Sequence, residues 1–440
     1  PQPSPPPKNP ALQHRRFIPL SIRHPLPSVV HNSPLRGTFH LPASKSESNR
    51  ALILQALAGA GDIANLSDAH DTQLLARLLA LPPDTAEYDC EDAGTTLRFL
   101  TALLAVRNRR CVITGTARMR ERPIGPLVDA LRELGADISY VRAEGYPPLR
   151  LNGFAYSGRA ALNVRADVSS QFVSALLLVA PTLPDGLFIH LVGEVGSAPY
   201  LRLTAYTLRA WGARVEVEAH AVRVWPGAVV APEVYTVEAD WSAASYAYAL
   251  AALAPPDSEL FLPNLTAFSP QGDHRVAAWA EDWGVETWYT ETGVLLRTRN
   301  NPPLAPPPTA YDFSACPDLA PTVAVLLAAL SRPATLTGLR SLRVKETDRI
   351  AALQAELARF GAALTEAAPE VFELLPGHFQ VNGQYVRTYA DHRMAMAFAP
   401  LALHGPLTIE APEVVRKSFP AFWEELAGLG IRLGVPDAER

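Results

Sequence analysis

The chain has 440 residues, 48% of them hydrophobic, enough to bury two substantial cores or one large one. With 39 Lys and Arg against 44 Asp and Glu, the formal net charge of -5 gives no overall positive field for nucleic acid or an anionic membrane, so any anion must be held by a local cluster. Three cysteines at long spacings, Cys90, Cys111 and Cys316, fit neither a disulfide framework nor a paired zinc site, and point to buried thiols in a reducing, cytoplasmic setting.

At the N-terminus, "PQPSPPPKNPALQHRR" (residues 1–16) lacks the apolar core and cleavage pattern of a secretory signal and reads as a disordered Pro-rich tail. Next, "SKSESNRALILQALA" opens a helix with a polar cluster. The same pattern returns in "DAGTTLRFLTALLA", "VSSQFVSALLLVA", "DWSAASYAYALAALA", "CPDLAPTVAVLLAAL" and "DHRMAMAFAPLAL". The markers Lys45, Thr95, Ser169, Asp240, Asp318 and His392 stand 50, 74, 71, 78 and 74 residues apart. A second series of helices ends in Gly135, Gly212, Gly284, Gly361 and Gly430, at steps of 77, 72, 77 and 69. The two series define six units of about 70 residues, the first one short. Each holds one helix apolar nearly all round and one amphipathic helix, with alternating strands such as "RVEVEAHAVRVWP" between them.

The units share pattern but little identity, so closed packing around buried helices is expected rather than a solenoid. Three units per body place the break between Thr236 and Asp240. No apolar stretch reaches the ~18 residues needed to span a bilayer.

A helix N-terminus already carries about half a positive charge, which favours carboxylates there and disfavours cations. Yet Lys45, Arg50, Arg98 and Arg393 all fall at the starts of the apolar helices. Two readings stand: pairing with a local carboxylate such as Glu47 or Asp92, or a bound phosphate or carboxylate matched by the bidentate fork of Arg. Ser44, Ser46, Thr95, Ser169, Ser170 and Ser242 serve equally well as simple N-caps. Loops add Arg118, Arg120 and Arg122 in "RMRERPIGPL", Lys345 and Arg349 in "LRVKETDRI", and Arg416 and Lys417 in "VVRKSFP". Thr347 or Asp348 can cap the helix that follows, whereas Lys345 beside Glu346 can hold an anion and move a proton. Asp318 is either a helix cap or a base for a hydroxyl. No Walker or Rossmann glycine loop occurs, so no nucleotide cofactor is expected.

Seven motifs in order, "LPASKSESNRALI", "DAGTTLRFL", "RERPIGPLVDALRELGA", "SSQFVSALLL", "RVKETDRI", "DHRMAMAF" and "KSFPAFWEEL", resemble the 5-enolpyruvylshikimate-3-phosphate synthases of the enolpyruvyl transferase family. The resemblance runs from about Leu41 to Leu429. It implies an α/β fold of two inside-out α/β barrel domains, each of three βαβαββ units, joined by two crossings. One domain is discontinuous, residues 17–42 plus 240–440, the other is 43–239, and the active site lies in the cleft between them.

The implied reaction moves the enolpyruvyl group of phosphoenolpyruvate to the 5-hydroxyl of shikimate 3-phosphate by addition and elimination, in aromatic amino-acid biosynthesis, with no cofactor or metal; no segment reads as an interface motif, so a monomer is expected by default. The herbicide glyphosate is the family's inhibitor. Carried over position by position, the resemblance implies that shikimate 3-phosphate is held by Lys45, Ser46, Arg50, Ser169, Ser170, Gln171, Ser197, Tyr200, Asp318, Ser341 and Lys345. Phosphoenolpyruvate is held by Lys45, Asp92, Gly94, Thr95, Arg122, Gln171, Arg349, Arg393 and Lys417, and the chemistry falls to Lys45, Asp318, Lys345, Glu346 and His392.

This chain departs from the usual family pattern at Ala43, Asp92, Phe99, Ala198 and Ser341, where Gly, Asn, Pro, Lys or Thr, and Asn are usual. The sister enzymes acting on UDP-N-acetylglucosamine carry a cysteine shortly before the Arg-Pro of "TARMRERP", and none stands there. A non-catalytic anion-binding relative would be expected to lose Asp318, Lys345 and Glu346, and all three remain. Asp92 repels phosphoenolpyruvate unless Arg98 or another cation compensates. On that reading Asp92→Asn lowers the apparent KM for phosphoenolpyruvate, and steady-state kinetics giving an unchanged or higher value would remove the repulsion.

Overall fold

Side chains of Ser44, Asp240, Asp348 and Asp391 cap four helix starts, and left-handed glycines follow the amphipathic helices. The computed structural model describes residues 33–165, 170–193, 198–300 and 309–434, so the Pro-rich tail, Ser169 and Ser197 lie outside the described residues. In chain order the helices are α1 (Lys45–Ala58), α2 (His70–Leu79), α3 (Gly94–Val106), α4 (Gly125–Glu133), α5 (Ser170–Val179), α6 (Ala198–Ala210), α7 (Trp241–Leu253), α8 (Arg275–Ala280), α9 (Ala320–Ala329), α10 (Arg349–Arg359), α11 (His392–Phe398) and α12 (Phe422–Gly428).

The odd-numbered helices are the apolar series read from the sequence. Buried residues run through α9 from Ala320 to Ala328 and through every position of α11. By contrast α4 buries one stripe, Leu127, Val128, Ala130 and Leu131, as an amphipathic helix does. Gly135, Gly212, Gly284, Gly361 and Gly430 have φ of 108, 78, 84, 90 and 85°, a conformation that L side chains avoid, and the first four turn the chain from helix to strand.

Four sheets of four strands share one connectivity. In the sheet of Glu87–Asp89, Cys111–Thr114, Leu149–Phe154 and Ala136–Tyr140, the first pair is parallel and the next two are antiparallel. With α3 and α4 this is a βαβαββ unit. Two units are short, the first as the marker spacing predicts and the last against expectation, each with one parallel strand pair: Asp62–Ala64 with Val234–Thr236, and Gln384–Val386 with Leu407–Ile409. The reason is chain length: α2 ends at Leu79 and the next unit's strand starts at Glu87, which leaves no room for a hairpin.

Two first strands are exchanged. Arg36–Thr38 pairs with residues from Glu259 to Phe261, whereas Val234–Thr236 returns to the sheet beside α1. The chain therefore crosses twice between two bodies, and the crossings lie side by side: Ser44 N donates to Glu238 O at 2.8 Å and Asp240 N to Pro42 O at 2.9 Å. Ala43 and Ala239 form an antiparallel bridge there. The buried apolar side chains accordingly fall into two clusters, one of Leu35, Phe39 and residues 239–431, the other of residues 43–237.

The helix-ending glycines yield a stability test. A Cβ on Gly135 would stand 1.9 Å from Ala155 O, while one on Gly145, whose φ is also positive at 84°, meets nothing within 4 Å. Gly145→Ala should lose about 1 kcal/mol of unfolding free energy from backbone strain alone, and Gly135→Ala at least about 2 kcal/mol because the strand must also move. Urea denaturation of both variants measures the difference.

Candidate active site

The N-terminal ends of all six inner helices line one cavity of about 160 Å³ between the two clusters. They contribute Lys45 and Ser46 from α1, Gly94 and Thr95 from α3, Ser170 and Gln171 from α5, Ser242 from α7, Asp318 just ahead of α9, and His392 and Arg393 from α11. Intervening segments add Arg122, Tyr200, Ser341, Lys345, Glu346 and Arg349. Side chains fix these starts: Ser44 accepts from Glu47 N at 3.4 Å, Asp240 from Ala243 N at 2.8 Å, and Asp391 from Arg393 N at 2.9 Å. Asp348 caps α10, as its motif suggested. Ser242 caps nothing and donates to the buried Asp273.

Carboxylates do not account for the buried Arg50 and Arg98. Arg50 donates to Thr204 Oγ1 at 2.8 Å, Ser174 Oγ at 3.1 Å, and the carbonyls of Ser46 and Tyr200 at 2.7 and 3.2 Å. Arg98 donates to the carbonyls of Gly94 at 2.9 Å and Pro123 at 2.8 Å. Burial lowers Arg50 to about 10 and, with Arg122 adding to it, Arg98 to about 9, so both remain cations at neutral pH with neutral partners. Their charge is left for the cavity. Arg122 lies against the first residue of α3, where a Cβ on Gly94 would come within 2.6 Å of its guanidinium. Among the described residues Arg122 has no ion pair.

Across the cavity, Asp318 is a hub and caps no helix. Arg349 donates to its Oδ1 at 3.0 Å, Arg393 and the Tyr200 hydroxyl to its Oδ2 at 2.9 and 3.1 Å, and Lys345 Nζ is 3.6 Å from Oδ1. Arg349 also donates to Glu346 at 2.8 Å and to Asp391 at 2.7 Å. Burial opposes the charge on Asp318 and Glu346, but the cations outweigh it: Arg393, Lys345 and Arg349 for the first, Arg349 and Lys417 foremost for the second. Both carboxyls are held well below the usual range. Burial pushes the His392 imidazole well below its ordinary value, so it is neutral, and neither ring nitrogen has a hydrogen-bond partner among the described residues. Asp273, behind Ser242, is pushed up to about 7 by burial and by Asp318.

Of the residues expected at the site, Lys45, Ser46, Arg50, Gly94, Thr95, Arg122, Ser170, Gln171, Tyr200, Asp318, Ser341, Lys345, Glu346, Arg349, His392 and Arg393 line the cavity. Gln171 donates to Thr95 Oγ1 at 3.2 Å. Asp92 and Lys417 pair with each other beside it. The cation that compensates Asp92 is therefore Lys417 and not Arg98. Burial opposes the Asp92 charge, and Lys417 more than reverses that, drawing the carboxyl down.

Sequence reasoning missed Asp71, which accepts from Lys45 Nζ at 3.2 Å, and Asp391, Asp273 and Tyr246. Asp391 could have been found, since it stands at the cap position of "DHRMAMAF". Asp71 is an acidic residue in a first helical turn, as any helix favours, and carries no signal.

The chain matches the family model described as EPSP synthase (3-phosphoshikimate 1-carboxyvinyltransferase) over residues 77–426. It is 43% identical over 415 residues to a 3-phosphoshikimate 1-carboxyvinyltransferase of Bacteroides fragilis, covering 91% of this chain and 98% of that one. It is 36% identical over 429 residues to the protein of the same name from Methanoculleus marisnigri, covering 92% and 99%. Among solved structures, EPSP synthase from Acinetobacter baumannii superposes with a TM-score of 0.75 at 22% identity over 95% of this chain and 99% of that one. The enolpyruvyl transferase NikO from Streptomyces tendae gives 0.68 at 17% over 91% and 96%, so the fold is that of the enolpyruvyl transferases.

The start of α1 allows a test that needs no substrate. Glu47 is 2% exposed, accepts from the Tyr235 hydroxyl at 2.7 Å, and has its other oxygen unpartnered among the described residues. Burial pushes its carboxyl up to about 7. Because the folded value is raised, the stability tied to the neutral form is complete below pH ~4.5 and is lost as pH climbs through 7, a change of about 3 kcal/mol. Glu47→Gln keeps an acceptor for Tyr235 and does not ionise, so its unfolding free energy should fall less than the parent's between pH 4.5 and 8 in denaturant titrations.

Proposed function

The chain belongs to the EPSP synthase (3-phosphoshikimate 1-carboxyvinyltransferase) family, and from that premise we propose that this cleft transfers the carboxyvinyl group of phosphoenolpyruvate to the 5-hydroxyl of shikimate 3-phosphate and releases phosphate. The observation that carries the reading is the meeting of six helix starts and the cations Lys45, Arg50, Arg122, Arg349 and Arg393 with two ionised carboxylates in one cavity. Two phosphorylated substrates supply the negative charge that such a cavity needs. The domains of this reading are 17–42 with 240–440, and 43–239; the two apolar clusters and the adjacent crossings support that division.

In this reading Lys45, Ser46, Arg50, Ser169, Ser170, Gln171, Ser197, Tyr200 and Ser341 hold shikimate 3-phosphate. Arg122, Arg349, Arg393 and Lys417 hold phosphoenolpyruvate, and Gly94 and Thr95 let it approach the backbone of α3. Asp318, kept ionised by its cations, takes the proton of the 5-hydroxyl as that oxygen bonds to C2 of phosphoenolpyruvate, with Lys345 beside it. C3 gains a proton from Glu346. Glu346 becomes a donor once Arg349 and Lys417, which hold it ionised, turn to the substrate's own charges and it takes up a proton from solvent as the substrates bind. In the elimination Glu346 takes back a proton from C3 while the C2–O bond to phosphate breaks and phosphate leaves with the proton held at Asp318 and Lys345. The fixed cations meet charge where it develops without having to reorganise. His392, neutral and buried against Glu346, shapes that carboxylate's surroundings.

Phosphate release from phosphoenolpyruvate, with shikimate 3-phosphate or UDP-N-acetylglucosamine as acceptor, tests the assignment. Release is expected with the first alone, and release with the second alone would replace this reading by the sister activity. Lys45→Met should slow kcat/KM about tenfold to a hundredfold, the equivalent of one charge-assisted contact of ~1.5–3 kcal/mol. An unaltered kcat/KM in the same assay would take Lys45 out of the site.

A further inference from the structure

Lys45, which lines the cavity, and Lys417, beside it, have aspartate partners of different kinds. Lys45 is held by Asp71, whose side chain is only 4% exposed. Lys417, itself 11% exposed, is held by Asp92, whose side chain is 48% exposed. A buried carboxylate that left its cation would be stranded, whereas a half-exposed one passes to water at little cost. Asp71 is thus a fixed partner and Asp92 an exchangeable one.

The second pair also spans the cleft. Asp92 precedes α3 in the 43–239 segment, and Lys417 lies 325 positions away, just ahead of α12. Among the described residues it is the one salt bridge between that segment and the rest of the chain. Tyr200 to Asp318 and Arg118 to the Lys345 carbonyl, at 3.1 and 3.5 Å, also cross, but neither is an ion pair. On the far side of Lys417, Glu346 Oε1 stands 3.7 Å from Nζ, so the lysine sits between a carboxylate from each bank.

Resting on the reading of Lys417 as a phosphoenolpyruvate ligand, we propose that Asp92 is an internal competitor for that lysine. Its carboxylate stands in for an anionic group of the substrate, draws the two banks together, and has to yield Lys417 before phosphoenolpyruvate takes it. This differs from direct repulsion, in which the Asp92 charge acts on the substrate whatever Lys417 does.

The two separate in a double-mutant cycle. Competition predicts that Asp92→Asn lowers the apparent KM for phosphoenolpyruvate roughly two- to fivefold, the size of a partly exposed pair, with a smaller change for shikimate 3-phosphate. In a Lys417→Met background the same substitution should change phosphoenolpyruvate binding less than 1.5-fold, read by calorimetry with shikimate 3-phosphate present. An equal gain in both backgrounds, or none in either, overturns the proposal. Small-angle scattering of the substrate-free protein gives a second readout: Asp92→Asn should enlarge the radius of gyration and Asp92→Glu should restore it, and identical radii overturn the bridging role. If the parent enzyme releases no phosphate with shikimate 3-phosphate, it is the functional reading that fails, and the scattering comparison alone then decides the proposal.

Discussion

Six helix starts facing one cavity are the constraint on which the remaining structure depends. Each start presents unpaired N–H groups and the positive end of a backbone dipole, and here they share a small space with several buried cations. Such a space is unfavourable without negative charge, and this chain supplies it internally through Asp71, Asp318, Glu346 and Asp391, each in contact with a cation. These pairs are poor stabilisers in themselves, because the loss of hydration offsets much of the attraction. Their effect is geometric: each guanidinium and ammonium is already oriented when a substrate arrives.

The distribution of the carboxylates is uneven, and the unevenness has chemical content. Arg349 touches three of them, at 3.0, 2.8 and 2.7 Å. Its own proton affinity rises accordingly: burial works against its charge, and Asp391, Glu346 and Asp318 overcome that. Arg50 and Arg98 touch none and are pulled down. The cavity therefore has one side where ionised carboxylates stand among cations and can handle protons, and another where cations have only neutral partners and can bind anions. An addition followed by an elimination needs both.

Much of this was legible in the sequence. Glycines at the helix ends and polar clusters at the helix starts marked the six units, because turn geometry and capping are local and leave residue-level traces. The cations at the helix starts marked the site, because they contradict the dipole that any such helix carries. What stayed hidden was pairing. Nothing near Asp92 points to Lys417, and nothing near Arg349 points to Asp391, 42 positions on. The shortness of the last unit, at residues 384–428, was hidden for a similar reason: a missing hairpin leaves no motif, whereas the first short unit showed itself in the 50-residue step from Lys45 to Thr95.

The exchanged strands govern the order in which the molecule can assemble. Arg36–Thr38 is made long before its parallel partner, which begins at Glu259, and the segment between them has to build its own apolar cluster meanwhile. On the ribosome the middle of the chain therefore closes first, and its last strand, Val234–Thr236, completes the sheet opened by Asp62–Ala64. Only then do the early residues find their neighbours. Nascent chain thus carries an unpaired strand edge and the apolar side chains of Leu35 and Phe39 through some 220 residues of translation, so the enzyme is exposed to aggregation until Glu259–Phe261 emerges to cover them.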